Sequence, residues 1–251
     1  MPSPRSVIVV TGASRGIGAA IARRCAADGY AVAVNYASDS SGALQTVADI
    51  AAAGGTAAAI QADVSVESDV VALFDQAAAL GGLAGVVNNA GITGNLIGPL
   101  ADVPAETLQR VTAVNVVGPL LVSREAVRRL STRTGNSGGQ IINISSTAVR
   151  SGSPGTWVHY AATKGAIDVL TVGLASEVGP EGVRVNCVSP GSTNTGLHAA
   201  AGMPDRTERL SPTIPLGRAA EPAEVAAAVS WLFSPEAAYI TGAILPVSGG
   251  R

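Results

Sequence analysis

Residues 7–18 read VIVVTGASRGIG, and this stretch decides the fold. Four apolar, β-branched residues predict a buried strand, the glycines predict a tight turn, and the residues after Gly16 begin a helix. The first turn of a helix carries unpaired N–H groups and a partial positive charge, which suit a pyrophosphate. Gly12 permits a sharp exit from the strand, and Gly16 and Gly18 leave room for phosphate and for close helix packing. Taken alone, the spacing fits a purely structural glycine turn equally well.

The rest of the chain alternates short β-branched runs with longer alanine-rich runs. Seven strands are predicted, at residues 6–11, 31–36, 56–61, 84–88, 140–145, 183–189 and 243–247. Helices are predicted between them, at residues 17–28, 41–53, 67–80, 104–131, 158–178 and 222–233. Strands that are apolar on both faces and are each followed by a helix indicate an α/β fold with a parallel sheet covered on both sides.

One domain over residues 1–251 accounts for this pattern. The segment 192–215 interrupts the alternation with several glycines and prolines, which is typical of a functional lid or a surface loop. Gly118-Pro119 lies inside the long helical run at 104–131 and predicts a bend or a local disruption there.

Composition excludes several classes of protein. Sixteen Lys plus Arg against eighteen Asp plus Glu give a net charge of −2, which argues against a nucleic-acid partner. The two cysteines, Cys25 and Cys187, are expected to be small core residues in a reducing cytoplasm, and with only two histidines a metal site is not expected. No apolar run predicts a targeting peptide or a membrane span.

The end of the second strand bears on the choice of dinucleotide. NAD binders hold the ribose 2′-hydroxyl with a carboxylate there, but the residues here are Asn35, Tyr36, Ala37 and Ser38. Arg15 in the glycine turn offers a guanidinium suited to a 2′-phosphate, and Asp39 is expected to cap the next helix. The sequence therefore favours NADP(H) over NAD(H).

A phenol and an ammonium stand one helical turn apart in the helix at 158–178. Tyr160 and Lys164 are four residues apart and share one face, although such a pair also occurs by chance in many helices. A nearby cation favours the phenolate, so the pKa of Tyr160 is expected to fall from about 10 and to make the residue a useful acid and base. The preceding strand ends in Ser145-Ser146, at the sheet edge where open α/β folds bind ligands.

These motifs together resemble the short-chain dehydrogenase/reductase family, over nearly the whole chain. The matching residues are Thr11-Gly12, Gly16-Ile17-Gly18, Asn88-Asn89-Ala90-Gly91, Ser146, Tyr160, Lys164 and Pro190-Gly191. The resemblance implies a single Rossmann domain with a seven-stranded, doubly wound parallel sheet. It also implies hydride transfer between a nicotinamide and a small carbonyl or alcohol, and a homotetramer in which the helices at 104–131 and 158–178 pack across a two-fold axis.

The resemblance also implies a role for each matching residue. Tyr160 would be the general acid/base, Lys164 would lower its pKa and hold the nicotinamide ribose, and Ser146, with Ser145 as the fallback, would bind the substrate oxygen. Asn115 would support a water that relays protons to Lys164. Asp63 resembles the family's adenine-side contact, and Thr193 and Thr195 its nicotinamide-amide contacts. The full set of implied cofactor contacts is Gly12, Ser14, Arg15, Gly16, Ile17, Gly18, Asn35, Tyr36, Ala37, Ser38, Asp63, Val64, Asn89, Ala90, Gly91, Tyr160, Lys164, Pro190, Gly191, Thr193 and Thr195.

Two alternative functions stay open on the sequence. A ketoacyl-carrier-protein reductase would use a basic patch as a dock for an acidic carrier protein, and four arginines at helical spacing could form one: Arg124, Arg128, Arg129 and Arg133. Such a run more often forms a solvated helix face, and Glu181 stands where that branch tends to carry a basic residue. A non-catalytic NADP(H)-binding sensor would keep the fold without needing the tyrosine and lysine.

Overall fold

The computed structural model describes residues 6–251, apart from the side chains of residues 198 and 199. Residues 1–5 of the expected domain lie outside this range. Seven strands in the described part form one sheet in which every neighbouring pair is parallel: β1 (Ser6–Val10), β2 (Ala31–Tyr36), β3 (Thr56–Gln61), β4 (Gly82–Asn88), β5 (Gly139–Ile144), β6 (Val183–Pro190) and β7 (Ile244–Val247).

The strand order is β3-β2-β1-β4-β5-β6-β7, so the chain reverses its direction of progress across the sheet between β1 and β4. The loops after these two strands diverge to opposite faces and leave a crevice at their carboxyl ends. Ligands bind at this switch point in open α/β sheets. The glycine turn follows β1, and Asn89 to Gly91 follow β4, so both motifs lie at the crevice.

Helices cover both faces of the sheet. The described helices are α1 (Gly16–Ala27), α2 (Ser40–Ala52), α3 (Glu67–Ala77), α4 (Ala105–Thr112), α5 (Gly118–Leu130), α6 (Ala148–Ser151), α7 (Val158–Val178), α8 (Gly196–Ala200), α9 (Arg206–Leu210) and α10 (Pro222–Phe233). Alternate residues of β1 belong to different cores. Val7 and Val9 pack with α3, α5 and α7, whereas Ile8 and Val10 pack with α1, α2 and α10. The expected doubly wound α/β architecture is confirmed.

The predicted long helix at 104–131 is interrupted. A π-helical segment, Ala113–Val117, separates α4 from α5, and Gly118 and Pro119 are the first residues of α5. The predicted disruption is therefore present, but it precedes the Gly-Pro pair. Proline lacks an N–H and cannot donate the bond that a regular helix would require there, so the wider turn ends where the proline begins.

The two cysteines are buried, as expected. Cys25 lies in α1 and Cys187 in β6, and both thiols are free. Burial raises the pKa of each thiol to about 12. In the described part of the chain, no helix combines the length and the apolar character that crossing a bilayer requires.

Candidate active site

The glycine turn is shaped by close backbone contacts that exclude side chains. Gly12 has φ +62°, and a Cβ added there would lie 2.9 Å from the Cα of Ala90. A Cβ on Gly18 would overlap the side-chain amide of Asn89 and the carbonyl of Gly12. Gly16 has φ +59°, which a residue with a side chain rarely adopts. The turn therefore requires glycine at these positions for steric reasons.

Two asparagines hold the turn in place. The side chain of Asn89 donates hydrogen bonds to the carbonyls of Thr11 (2.9 Å) and Gly12 (3.0 Å). The oxygen of the Asn35 side chain accepts from the N–H of Gly12 at 3.2 Å, and its amide donates to the carbonyl of Ala62 at 3.0 Å. Asn35 is buried and bonded to backbone, so its side chain braces the turn from beneath.

The start of α1 fits a pyrophosphate. No side chain caps this helix, and its first turn contains no acid. The N–H groups and the positive end of the dipole therefore face the crevice without a protein anion to satisfy them. The glycine turn has no room for a Cβ at Gly12 or Gly18, so only backbone lies next to the start of α1. Turn and helix start together form a binding site suited to the pyrophosphate of a dinucleotide.

Arg15 stands beside the end of β2. Its guanidinium lies 3.7 Å from the carboxylate of Asp39 and keeps a side-chain exposure of 76%. Asp39 accepts a hydrogen bond from the N–H of Gly42 at 3.0 Å and so caps α2, as expected. The carboxylate is therefore shared between a helix cap and a long ion pair, and Arg15 retains a large surface for another anion.

Asp63 is held by its neighbours. The carboxylate accepts hydrogen bonds from the hydroxyl of Ser65 (2.6 Å) and from Arg110 (2.8 Å). Burial raises the pKa of Asp63, but these hydrogen bonds and the Arg110 charge outweigh it and hold the pKa below its ordinary value. The carboxylate remains ionised and fixed at the edge of the crevice.

Tyr160 and Lys164 both point into the crevice from α7, and both are buried. The ammonium of Lys164, the only lysine of the chain, lies 5.7 Å from the centroid of the Tyr160 ring and donates to the carbonyl of Ile144 at 2.7 Å. Burial raises the pKa of Tyr160 to about 12, against a lowering by the Ser146 hydrogen bond. Burial also lowers the pKa of Lys164 to about 8.

The expected fall in the pKa of the phenol is thus absent in the protein alone. Loss of water disfavours the charged form of both groups, and on the phenol it outweighs the opposing effect of the Ser146 hydrogen bond. The phenol is therefore protonated at neutral pH and can donate its proton. The Lys164 ammonium gives up its proton more easily than that of an ordinary lysine.

The two neighbouring serines have different surroundings. The Ser146 hydroxyl hydrogen-bonds to the Tyr160 phenol and accepts from the N–H of Ala148 at 3.1 Å. The Ser145 hydroxyl is buried and donates to the carbonyl of Lys164 at 3.2 Å. The geometry thus pairs Ser146 with the phenol and uses Ser145 to tie β5 to α7.

Asn115 lies in the π-helical segment and is fully buried. Its side-chain oxygen accepts from the N–H of Ile92 at 2.9 Å, and its amide donates to the carbonyl of Ile92 at 2.8 Å and to the Thr163 hydroxyl at 3.1 Å. These bonds fix the loop after β4 against α7. The expected role of Asn115 in proton relay stays a prediction.

One cavity of about 710 Å³ runs along the carboxyl edge of the sheet. Every residue expected to contact the cofactor lines it, as do both serines, whereas Asn115 lies behind its wall. Thr193 donates its hydroxyl to the carbonyl of Gly191 at 3.1 Å, and Thr195 approaches Gly16, so both lie at this edge.

The expected lid at 192–215 borders the same cavity. It contains α8 and α9, and Ala201 and Met203 between them pack on Trp157 and Tyr160. The motifs of the sequence mark neither Trp157 nor Arg206 as a site residue. Both residues line the cavity next to the phenol. No local pattern marks them, because they belong to different elements that meet only in the fold.

The four arginines of the possible carrier-protein dock are all paired with acids. Arg124 pairs with Glu67, Arg128 with Glu125, Arg129 with Asp75 and Glu125, and Arg133 with Glu181. The pairing neutralises much of the basic patch that their spacing indicated.

Comparison with known proteins places this geometry in a family. A family model described as enoyl-(acyl carrier protein) reductase matches residues 12–251. The chain is 47% identical over 249 residues to the uncharacterized oxidoreductase YgfF of Escherichia coli K12, covering 98% of this chain and 100% of the relative. It is 44% identical over 248 residues to 3beta-hydroxysteroid dehydrogenase 1 of Eggerthella lenta (97% and 92% covered) and 39% identical over 243 residues to glucose 1-dehydrogenase 2 of Bacillus subtilis (96% and 93%).

Solved structures agree. A dehydrogenase/reductase from Sinorhizobium meliloti superposes with a TM-score of 0.89 at 38% identity, covering 99% of this chain and 95% of that one. A short chain dehydrogenase from Burkholderia cenocepacia, solved in complex with NADP, gives a TM-score of 0.87 at 37% identity (97% and 96% covered).

Fold, cavity and relatives together define an oxidoreductase that binds a nicotinamide dinucleotide. The chain belongs to the short-chain dehydrogenase/reductase family, which confirms the resemblance drawn from its motifs. It is an NAD(P)-dependent enzyme of that family.

Proposed function

We propose that this protein interconverts a small carbonyl compound and the corresponding secondary alcohol with NADP(H), using Tyr160 as the general acid and base. The observation that carries the proposal is the trio of Tyr160, Lys164 and Ser146, the first two of them buried, which lies in one cavity with the glycine turn. When bound, the nicotinamide cofactor supplies or accepts the hydride. Gly12, Gly16 and the start of α1 would hold its pyrophosphate, and Asp63 and Val64 would border its adenine side.

Residues of the chain bind the substrate oxygen and transfer its proton. In reduction, Ser146 donates a hydrogen bond to the carbonyl oxygen, and Tyr160 gives its phenolic proton to that oxygen as negative charge develops. Both hydrogen bonds strengthen as the charge grows, so they favour the transition state over the bound substrate. In oxidation the phenolate takes the proton back from the alcohol. The Lys164 ammonium stabilises that phenolate and so makes the return step accessible.

Support for NADP(H) comes from charge. Arg15 keeps most of its side chain exposed beside Tyr36, Ala37 and Ser38, where a 2′-phosphate would lie. A guanidinium binds phosphate through two parallel N–H groups, and the strand end itself carries no acid. The relative from Burkholderia cenocepacia that was solved with NADP adds to this support.

The two alternatives have less support. A ketoacyl-carrier-protein reductase needs free cations for its acidic partner, whereas the candidate arginines are paired with acids. A non-catalytic sensor has no need of a buried phenol next to an ammonium. The homotetramer and the cytoplasmic location stay predictions. Val169 (73% exposed) and Val172 (50% exposed) on α7 are apolar surface that a second subunit would bury.

The test is a spectrophotometric screen of NADPH and NADH against aldoses, diketones, ketoesters and acyl-thioesters, with wild type and Tyr160→Phe. The proposal expects turnover by the wild type, loss of turnover in the variant and an unchanged affinity of the variant for NADPH. An active Tyr160→Phe variant would overturn the role of Tyr160. Binding without turnover by the wild type against every class would favour the sensor.

A further inference from the structure

The end of the cavity beyond the phenol contains a guanidinium that has no carboxylate partner among the described residues. Arg206 begins α9, in the lid, and its guanidinium carbon lies 4.9 Å from the centroid of the Trp157 ring. Trp157 packs edge-on against Tyr160, with ring centroids 6.2 Å apart. The cation therefore lies one aromatic ring away from the reacting phenol.

Arg206 differs from its neighbour on the same short helix. Arg209 forms an ion pair with Asp205 at 3.1 Å. Among the residues that the structure describes, no carboxylate lies within 4 Å of Arg206, and its one side-chain hydrogen bond goes to the thioether of Met203 at 3.3 Å. A thioether is a weak acceptor and leaves most of the guanidinium donors without a strong partner.

Electrostatics at this end of the cavity favour an anion. Burial and the nearby charges of Arg251 and Arg209 lower the pKa of Arg206. Arg251 also lines the cavity, and so does Arg150 of α6. Among the described side chains that line the cavity, the two acids are Asp39 and Asp63, and these are already paired with Arg15 and Arg110. A partly buried cation without a counter-ion is costly, and an anionic ligand would remove that cost.

We propose that the substrate carries an anionic oxygen group, a carboxylate or a phosphate, and that Arg206 binds it while Tyr160 and Ser146 hold the carbonyl oxygen. This assignment rests on the proposed function and narrows its substrate class to oxo and hydroxy acids or phosphorylated ketones. The Trp157 ring lies beside the guanidinium at the wall of the cavity, and a guanidinium can bind a carboxylate or a phosphate through two parallel N–H groups. A neutral ketone leaves that charge unpaired and is selected against.

Matched pairs of probes test the assignment. Acetoacetate is compared with ethyl acetoacetate, and dihydroxyacetone phosphate with dihydroxyacetone, by following NADPH oxidation. Each pair shares its reacting carbonyl and differs in the anion, so the two pairs also separate carboxylate from phosphate. We expect the wild type to prefer the anionic member of at least one pair about tenfold or more in kcat/KM. Equal or better use of the neutral members of both pairs would overturn the proposal.

Variants locate the effect. Arg206→Gln is expected to raise KM for the preferred anionic probe about tenfold or more while kcat and the use of its neutral partner change little. Arg206→Lys keeps the positive charge but not the two parallel N–H donors. Its KM for the anionic probe should therefore lie between those of the wild type and Arg206→Gln. Arg23→Gln, which alters an arginine paired with Asp49 outside this cavity, is the control and should behave like the wild type. If Arg206→Gln folds, binds NADPH and keeps the KM for the anion, Arg206 has no such role.

Binding separates this inference from the proposed function. In the Tyr160→Phe background with NADPH bound, the dissociation constants of acetoacetate and dihydroxyacetone phosphate are measured with and without Arg206→Gln. Suppose that anion binding depends on Arg206 but the wild type turns over no carbonyl probe. This result would contradict the proposed function and support the anion site. Turnover of neutral carbonyls without Arg206-dependent anion binding would support the proposed function and contradict the anion site.

Discussion

Asn115 donates a 3.1 Å hydrogen bond to the hydroxyl of Thr163, and this contact joins the π-helical segment to the helix that carries Tyr160. Thr163 donates in turn to the carbonyl of Tyr160 at 2.7 Å. The wide turn at Ala113–Val117 thus serves a purpose, because it brings a buried amide within reach of both Ile92 and α7. The position of the phenol depends on a residue that lies outside the cavity wall.

Asn115→Ala should destabilise the protein more than Thr163→Ala does. The first change leaves the partly buried N–H and carbonyl of Ile92 without these partners and costs about 2 kcal/mol or more, since each unsatisfied group costs about 1–3 kcal/mol. The second removes one shared hydroxyl and costs about 1 kcal/mol. Urea denaturation measures both. A larger loss of unfolding free energy for Thr163→Ala would contradict the inference that Asn115 contributes more to stability than Thr163.

Lys164→Met should abolish activity and change how stability depends on pH. The pKa of Lys164 is about 8 in the folded protein, against an ordinary lysine value of 10.5 in the unfolded chain. Between these values the unfolded state binds more protons, so the stability of the wild type rises with pH there. Below pH 8 the buried charge costs on the order of 3 kcal/mol, and the methionine variant avoids that cost.

The stability of Lys164→Met relative to the wild type should therefore be most favourable near pH 7 and should decline from pH 8 to pH 10. Urea unfolding at several pH values measures the difference. A difference that does not vary with pH would show that Lys164 keeps an ordinary pKa in the folded protein.

Ser146→Ala and Ser145→Ala should separate chemistry from structure. The Ser146 hydroxyl bonds to the phenol, and its removal should lower kcat about 100-fold, as loss of one donor to a developing oxyanion does. Ser145→Ala loses the bond to the Lys164 carbonyl and should cost about 1 kcal/mol of stability, with a smaller loss of kcat. Steady-state kinetics and thermal unfolding distinguish the two. The reverse order of kcat losses would make Ser145 the substrate-binding serine.

Arg15→Gln should weaken the preference for NADPH. Loss of the exposed guanidinium removes a charge-assisted contact to the 2′-phosphate, so kcat/KM for NADPH should fall about tenfold while that for NADH changes less than about twofold. Arg24→Gln, which alters an arginine paired with Asp28 on the same helix, serves as the control. Equal losses with both cofactors would refute the assignment of Arg15.

Gly18→Ala should prevent tight binding of the cofactor. The added Cβ would overlap the Asn89 amide and the Gly12 carbonyl, so the turn must open. We expect a rise in the Kd for NADPH of about tenfold or more, together with lower thermal stability. At Gly179 a Cβ meets no atom within 4 Å, and Gly179→Ala should leave both quantities near the wild-type values. Unchanged NADPH binding in Gly18→Ala would show that the turn tolerates a side chain.

Local pattern predicted the sheet, the glycine turn and the Tyr160–Lys164 face, because each depends on neighbours in sequence. The sequence could not predict quantities set by the whole fold. The pKa of Tyr160 rises instead of falling because the folded chain buries the phenol, and the four-residue spacing carries no information on burial. Arg124 looked like part of a basic patch because Glu67, which neutralises it, lies in a distant helix. Trp157 and Arg206 belong to different elements and come into contact only in the folded protein.

Because the thiols of Cys25 and Cys187 are buried and protonated, the native chain should not react with thiol-specific labels. Both are buried and stay protonated well above neutral pH, so maleimide reagents should leave the folded protein unmodified. A cysteine placed at the exposed position 209 would then be the single attachment point for a fluorophore. Such a reporter would measure in real time whether the segment beside the phenol moves, without first removing any native cysteine.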